Sequence, residues 1–218
     1  RYSCLPPNPL ARRPKPRRQT RSKGWIRQSL VQARTADIIS TMKPFGFAQG
    51  ELRHVTSARQ FDTKFLQSLF SLTDKIKMGK YNKNALAGKI MATLFYEPST
   101  RTRLSFESAM LRLGGSVIAT ENAAEFSSAI KGETLEDTIR IASAYSDVIV
   151  LRHTLPGAAE IAASYSEVPI INAGDGNREH PTQALLDLYT IFSKFPARRN
   201  LTVAMMGDLK NGRTIHYL

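Results

Sequence analysis

Between Ile90 and Met206, short apolar runs alternate with segments at helical spacing, and this alternation constrains the fold more than any other feature. The runs are Ile90–Tyr96, Ser116–Thr120, Val148–Leu151, Val168–Asn172 and Leu201–Met206. Between them lie helical patterns at about Thr100–Leu113, Thr134–Tyr145, Ala158–Ser164 and Pro181–Phe192. Strand and helix in turn predict an α/β fold with a mostly parallel sheet. An earlier helix is predicted over the segment with Phe61, Phe65, Leu69, Leu72 and Ile76 on one apolar face. No internal repeat is visible. Sheets of this kind place ligands at the carboxyl ends of their strands, so the residues after each run are the first candidates for function.

The charge is unevenly spread. The 218 residues carry a formal +13, of which +11 falls within residues 1–60. The rest is close to neutral, so the charge alone does not make the globular part a polyanion binder. Residues 1–53 contain RRPKPRRQTRSK and few apolar side chains to bury, a composition expected to stay disordered. They read as an organelle transit peptide, as a nucleic-acid-binding arm, or as upstream sequence without a role. The first residue is Arg rather than Met. The one cysteine, Cys4, allows no intrachain disulfide and no Cys-based metal site, which fits a reducing compartment. No run reaches the ~18 apolar residues of a membrane span, and no secretory signal is visible.

The stretch FYEPSTRTRLSFESAM joins the first run to the first helix of the alternating region. Ser99 or Thr100 can cap that helix, and Gly114-Gly115 ends it, with Leu104, Ala109, Leu111 and Leu113 expected inside. A helix start favours anions through its free amides and its dipole. Arg101, in the first turn, opposes the dipole unless an anion lies between. With Arg103 and Thr102 beside it, the seam reads as a cradle for phosphate or a similar group. It is not a nucleotide P-loop, because GxxxxGK[ST] is absent. Arg152 offers a second anion contact. Pro181 suits a first helical position, which leaves His180 and Gln183 at a helix mouth to hold a carbonyl and an amine. Ala184, Leu185, Leu188, Ile191 and Phe192 form the apolar stripe of that helix. Ser127 and Lys131 lie in a glycine-flanked loop, and Thr134-x-x-Asp137 opens the next helix like a capping arrangement.

Five motifs, FYEPSTRTRLSFE, FSSAIKGETLEDT, VLRH, NAGDGNREHPTQALLDLYTI and GDLKNGRT, occur in this order from about His54 onward. Together they resemble the catalytic chains of the aspartate branch of the carbamoyltransferase family. The ornithine branch typically has cysteine where this chain has Thr182. The resemblance implies transfer of the carbamoyl group of carbamoyl phosphate to the amine of L-aspartate, in pyrimidine synthesis. It implies that Ser99, Thr100, Arg101 and Thr102 bind the phosphate end, with Arg152 helping. Thr102, Arg152 and His180 would contact the carbamoyl oxygen, and Gln183 its nitrogen. Ser127 and Lys131 would come from a neighbouring subunit, so the working form would be a homotrimer. Lys131 and Arg213 would serve aspartate. No metal or organic cofactor, nucleic acid or membrane is implied, and the presence of regulatory subunits is left open.

Residues 54–182 are then expected to be a carbamoyl phosphate-binding domain with helices on both faces of its sheet. Residues 183–218 would be a linking helix and the first strand of a second, truncated α/β domain. A chain of that extent is expected to be an inactive piece with exposed apolar surface. The alternatives are an ornithine-type transferase, a truncated chain that only binds carbamoyl phosphate, and a nucleic-acid-binding module driven by residues 1–53. The expected compartment is the cytosol, or a plastid if residues 1–53 are a transit peptide. Glu179 and Ile130 are local departures with no reading from sequence.

Overall fold

The computed structural model describes residues 54–120, 132–195 and 201–207. All of them fall in the second of two units, Pro44–Leu218. A 3-10 turn at Ala58–Gln60 leads into α1 (Thr63–Lys77). Then come β1 (Ile90–Phe95), α2 (Thr100–Arg112), β2 (Ser116–Thr120), α3 (Leu135–Tyr145), β3 (Val148–His153), α4 (Ala158–Tyr165), β4 (Ile170–Asp175) and α5 (Pro181–Lys194). The strands form one parallel sheet in the order β2-β1-β3-β4, as the alternation predicts.

Alternation along the strands sends side chains to two helical layers. Ala92, Leu94, Ile149, Leu151 and Ile170 pack against Ile139 and Ala142 of α3 and Ala162 of α4. Met91, Phe95, Val150 and Ala173 face the other way, where Met110 of α2 meets them. Fully buried side chains such as Ile139, Ile149 and Ile170 each contribute about 1.5–3 kcal/mol. Thr93 is the polar exception on the α2 face, and its hydroxyl donates to Glu107 at 3.0 Å.

The helices are rotated away from several expected positions. In α2 the buried residue is Met110, whereas Leu104 and Leu111 are 53% and 60% exposed. Apolar residues surround this helix, so periodicity alone does not choose the face that meets the sheet. In α1 the buried residue is Phe70, which meets the Tyr189 and Phe192 rings of α5 edge-on at 5.4 and 5.1 Å. Leu72 and Ile76 are exposed. The expected end of α2 is realised: Gly114, in the left-handed region at φ +82°, donates to Leu111, and Gly115 donates to the Met110 carbonyl.

Two strand boundaries move for identifiable reasons. Pro169 gives its carbonyl to Ile149 but has no N–H, so the β4 ladder starts after it rather than at Val168. β3 runs on through Arg152 and His153, because Phe95 pairs with Arg152 and Tyr96 donates to the Arg152 carbonyl at 2.9 Å. Leu201–Met206, expected as the first strand of a second domain, forms no ladder among the described residues, and Met206 is 95% exposed. The outer edge of β4 carries Val55. Val55 donates to Ile170 at 2.7 Å and accepts from Asn172 at 2.8 Å. Among the described residues no helix is long and apolar enough to cross a membrane.

Candidate functional site

The seam after β1 behaves differently from a capped surface helix. Ser99 is the N-cap of α2, yet its side chain makes no capping hydrogen bond, contrary to expectation. A helix gives its first amides no carbonyl of their own, so the start of α2 presents N–H groups beside the Ser99 hydroxyl. A cavity of about 740 Å³ opens there. From α2 it is lined by Ser99, Arg101, Thr102, Ser105, Phe106 and Ala109, a face at helical spacing. Thr100 lies off that face and is not part of the lining. The rest of its lining is Arg152 of β3 with His180, Thr182, Gln183 and Leu186 at the start of α5. Residues far apart in sequence therefore meet across one space, as the carboxyl ends of parallel strands allow.

The three seam cations have separate environments. Arg101 is exposed and lines the cavity. Arg103 reaches Glu107 one turn on, with Nε 3.4 Å from its carboxylate. Arg152 lies inside β3, not after it. Its guanidinium is 2.5 Å from Glu97 and donates to the Ala173 carbonyl at 3.0 Å. Glu97 had no role from sequence. The available signal was an acid standing alone at a strand end among arginines.

His180 caps α5, with Pro181 as the first helical residue. Its Nδ1 accepts the Gln183 backbone N–H at 3.3 Å and lies 3.2 Å from the Thr182 hydroxyl. An N–H can only donate, so Nδ1 is the acceptor and the neutral ring carries its proton on Nε2. The helix mouth can thus supply an Nε2–H donor.

Two buried carboxylates that sequence reasoning missed hold this mouth in place. Asp175, 1% exposed, accepts from Glu179 N at 2.9 Å and from Gly157 N at 3.0 Å. Glu179 accepts from the Ser57 hydroxyl at 3.0 Å and from Ala58 N at 2.9 Å. The turn between them needs Gly176 at φ +53°, where a Cβ would meet the Thr154 carbonyl oxygen at 2.7 Å. Ser127, Lys131 and Arg213 lie outside the described residues, as do residues 1–53. Among the described residues no cluster of three or more His, Cys, Asp and Glu could hold a metal ion.

All three described histidines accept a backbone N–H through Nδ1: His54 from Ile170, His153 from Leu155 and His180 from Gln183. Burial lowers the pKa of His54 and His153 below the usual 6.5, and at His153 it outweighs the opposing charges of Glu97 and Asp175. The fold favours the neutral rings. Below about pH 6.5 the unfolded chain binds more protons, so stability is complete above that pH and falls as acid is added. The urea midpoint is expected to be lower at pH 5.5 than at pH 7.5. The drop should shrink in His153→Asn, and an equal drop there would remove His153 from the account.

Known proteins resemble this chain in sequence and fold. Residues 53–193 match the family model for the carbamoyl-P binding domain of aspartate/ornithine carbamoyltransferases. A chloroplastic aspartate carbamoyltransferase of Arabidopsis thaliana is 53% identical over 202 residues, which is 91% of this chain and 50% of that protein. The catalytic subunit from Thermococcus gammatolerans is 53% identical over 169 residues, 76% of this chain and 54% of that subunit. The crystal structure of aspartate transcarbamoylase from Trypanosoma cruzi, in complex with aspartate and phosphate, superposes with a TM-score of 0.70 at 48% identity. It covers 77% of this chain, which in turn spans 54% of that one. The chain spans about half the length of the curated relatives it matches.

Proposed function

This chain belongs to the aspartate/ornithine carbamoyltransferase family, and on that premise we propose that it forms the carbamoyl phosphate half of an aspartate carbamoyltransferase. The observation that carries the reading is one cavity in which Arg101 and Thr102 face Arg152, His180 and Gln183. In the reaction the amine of L-aspartate attacks the carbamoyl carbon. A C–N bond forms, the C–O bond to phosphate breaks, and the amine gives up a proton. The products are N-carbamoyl-L-aspartate and phosphate.

Negative charge grows on the carbamoyl oxygen and then on the departing phosphate. Thr102, Arg152 and the Nε2–H of His180 serve the first. Ser99, Arg101, Thr102 and the amides of the α2 start serve the second, with Thr100 acting through its backbone. Fixed donors aimed at developing charge lower a barrier without reorganising during the reaction. Gln183 holds the carbamoyl nitrogen. Lys131 and Arg213 serve aspartate, and Ser127 and Lys131 reach the site of a neighbouring chain in a homotrimer. Pyrimidine synthesis is the process this product supplies. The names of the Arabidopsis and pea relatives, which are chloroplastic, favour a plastid over the cytosol.

The test is an assay of a chain carried on to the length of its curated relatives. Carbamoyl phosphate and L-aspartate are expected to give carbamoyl aspartate and phosphate in equal amounts. Turnover with ornithine and none with aspartate would transfer the assignment to the other branch.

A further inference from the structure

We infer that Asp187 is a positioning residue: it sets which way the Gln183 amide faces, and so makes the cavity read an amide nitrogen on its ligand. The inference rests on the carbamoyl phosphate reading above and adds to it the origin of amide selectivity. Gln183 and Asp187 stand one turn apart on α5, and Gln183 Nε2 donates to the Asp187 carboxylate at 3.0 Å. A carboxylate only accepts hydrogen bonds, so only the nitrogen edge of the amide can meet it. The reversed amide would set two acceptors against each other. With one Nε2–H held by Asp187 the amide cannot turn over, and its oxygen is the acceptor that Gln183 brings to the cavity it lines.

His180 is fixed in the complementary sense. Nδ1 accepts from the Gln183 N–H, which assigns the proton to Nε2. One helix start therefore offers a donor from His180 and an acceptor from Gln183. That pair matches the oxygen and the nitrogen of a primary amide edge. A ligand with a carboxylate in the same place would set its oxygen against the Gln183 oxygen. Without Asp187 the Gln183 amide could turn and donate to that carboxylate, and discrimination would fall. Leaving a polar group opposed by its own kind is costlier than losing a neutral contact.

The experiment is calorimetric titration of the 218-residue chain with phosphonoacetamide, phosphonoacetate and inorganic phosphate. Four proteins are compared: the parent, Asp187→Asn, Gln183→Met, and the double variant. The Kd ratio of the two phosphonates is expected to move toward phosphonoacetate by about five- to tenfold in Asp187→Asn, on the scale of one hydrogen bond. In the Gln183→Met background the same substitution is expected to move it less than twofold. Asp187→Ala, which removes the acceptor altogether, should repeat the shift if the asparagine variant does not fold. An equal shift in both backgrounds would mean that Asp187 acts through charge alone and would overturn the inference, as would no shift in either. A parent that binds none of the three anions would overturn the carbamoyl phosphate reading itself.

Discussion

Arg101→Ala, in a chain carried on to the length of its curated relatives, is expected to lower kcat by about 10²-fold or more. That is the scale of removing one donor that faces developing charge. The reason is position. Arg101 lies in the first turn of α2, where a cation opposes the helix dipole, and it lines the cavity beside the Ser99 hydroxyl. Arg103, two residues on, is drawn to Glu107, so Arg103→Ala is expected to cost far less. Steady-state kinetics on both variants makes the contrast. A near-normal kcat in Arg101→Ala would remove it from the reaction. The shared-site reading adds a second measurement. Mixed oligomers of Arg101→Ala and Lys131→Ala chains should regain activity, because one site in such an assembly keeps both residues.

The largest stability effect is expected at Asp175. Its carboxylate takes one N–H from the β4–α5 turn and one from the start of α4, and it has almost no solvent contact. Asp175→Ala leaves both donors without their acceptor, at a cost of about 3–4 kcal/mol. Asp175→Asn keeps one acceptor and should lose about half as much. Urea unfolding of the 218-residue chain at pH 7.5 measures both. A loss under about 1 kcal/mol in Asp175→Ala, below the cost of one orphaned donor, would show that the turn holds without it. Because the same turn carries Glu179 and His180, affinity for inorganic phosphate should fall together with stability.

Much of the fold was legible because its signals are local. Helical spacing over Pro181–Phe192 and the paired glycines after α2 report conformations that neighbouring residues impose on one another. The four strands of the sheet lie close to the runs that predicted them. The failures are equally physical. Leu104 and Leu111 read as core because they are apolar, but helix rotation about the sheet is set by the layer it meets, and Met110 took that place. Leu201–Met206 is apolar enough for a strand, yet a strand exists only with a partner, and among the described residues it pairs with none.

The candidate site divides along the same line. The order of the elements, the strand–helix seams and the residue types at them, including the seam arginines, His180 and Gln183, are written in the chain. They follow from period, capping chemistry and the direction of parallel strands. Folding in three dimensions selects Arg101 rather than Arg103 to face the cavity. It also sets Glu97 against Arg152, and Asp175 and Glu179 beneath the mouth of α5. Those choices are contacts between distant parts of the chain. Ser57 meets Glu179 across 122 positions, and no local pattern carries information about a partner that only folding brings near.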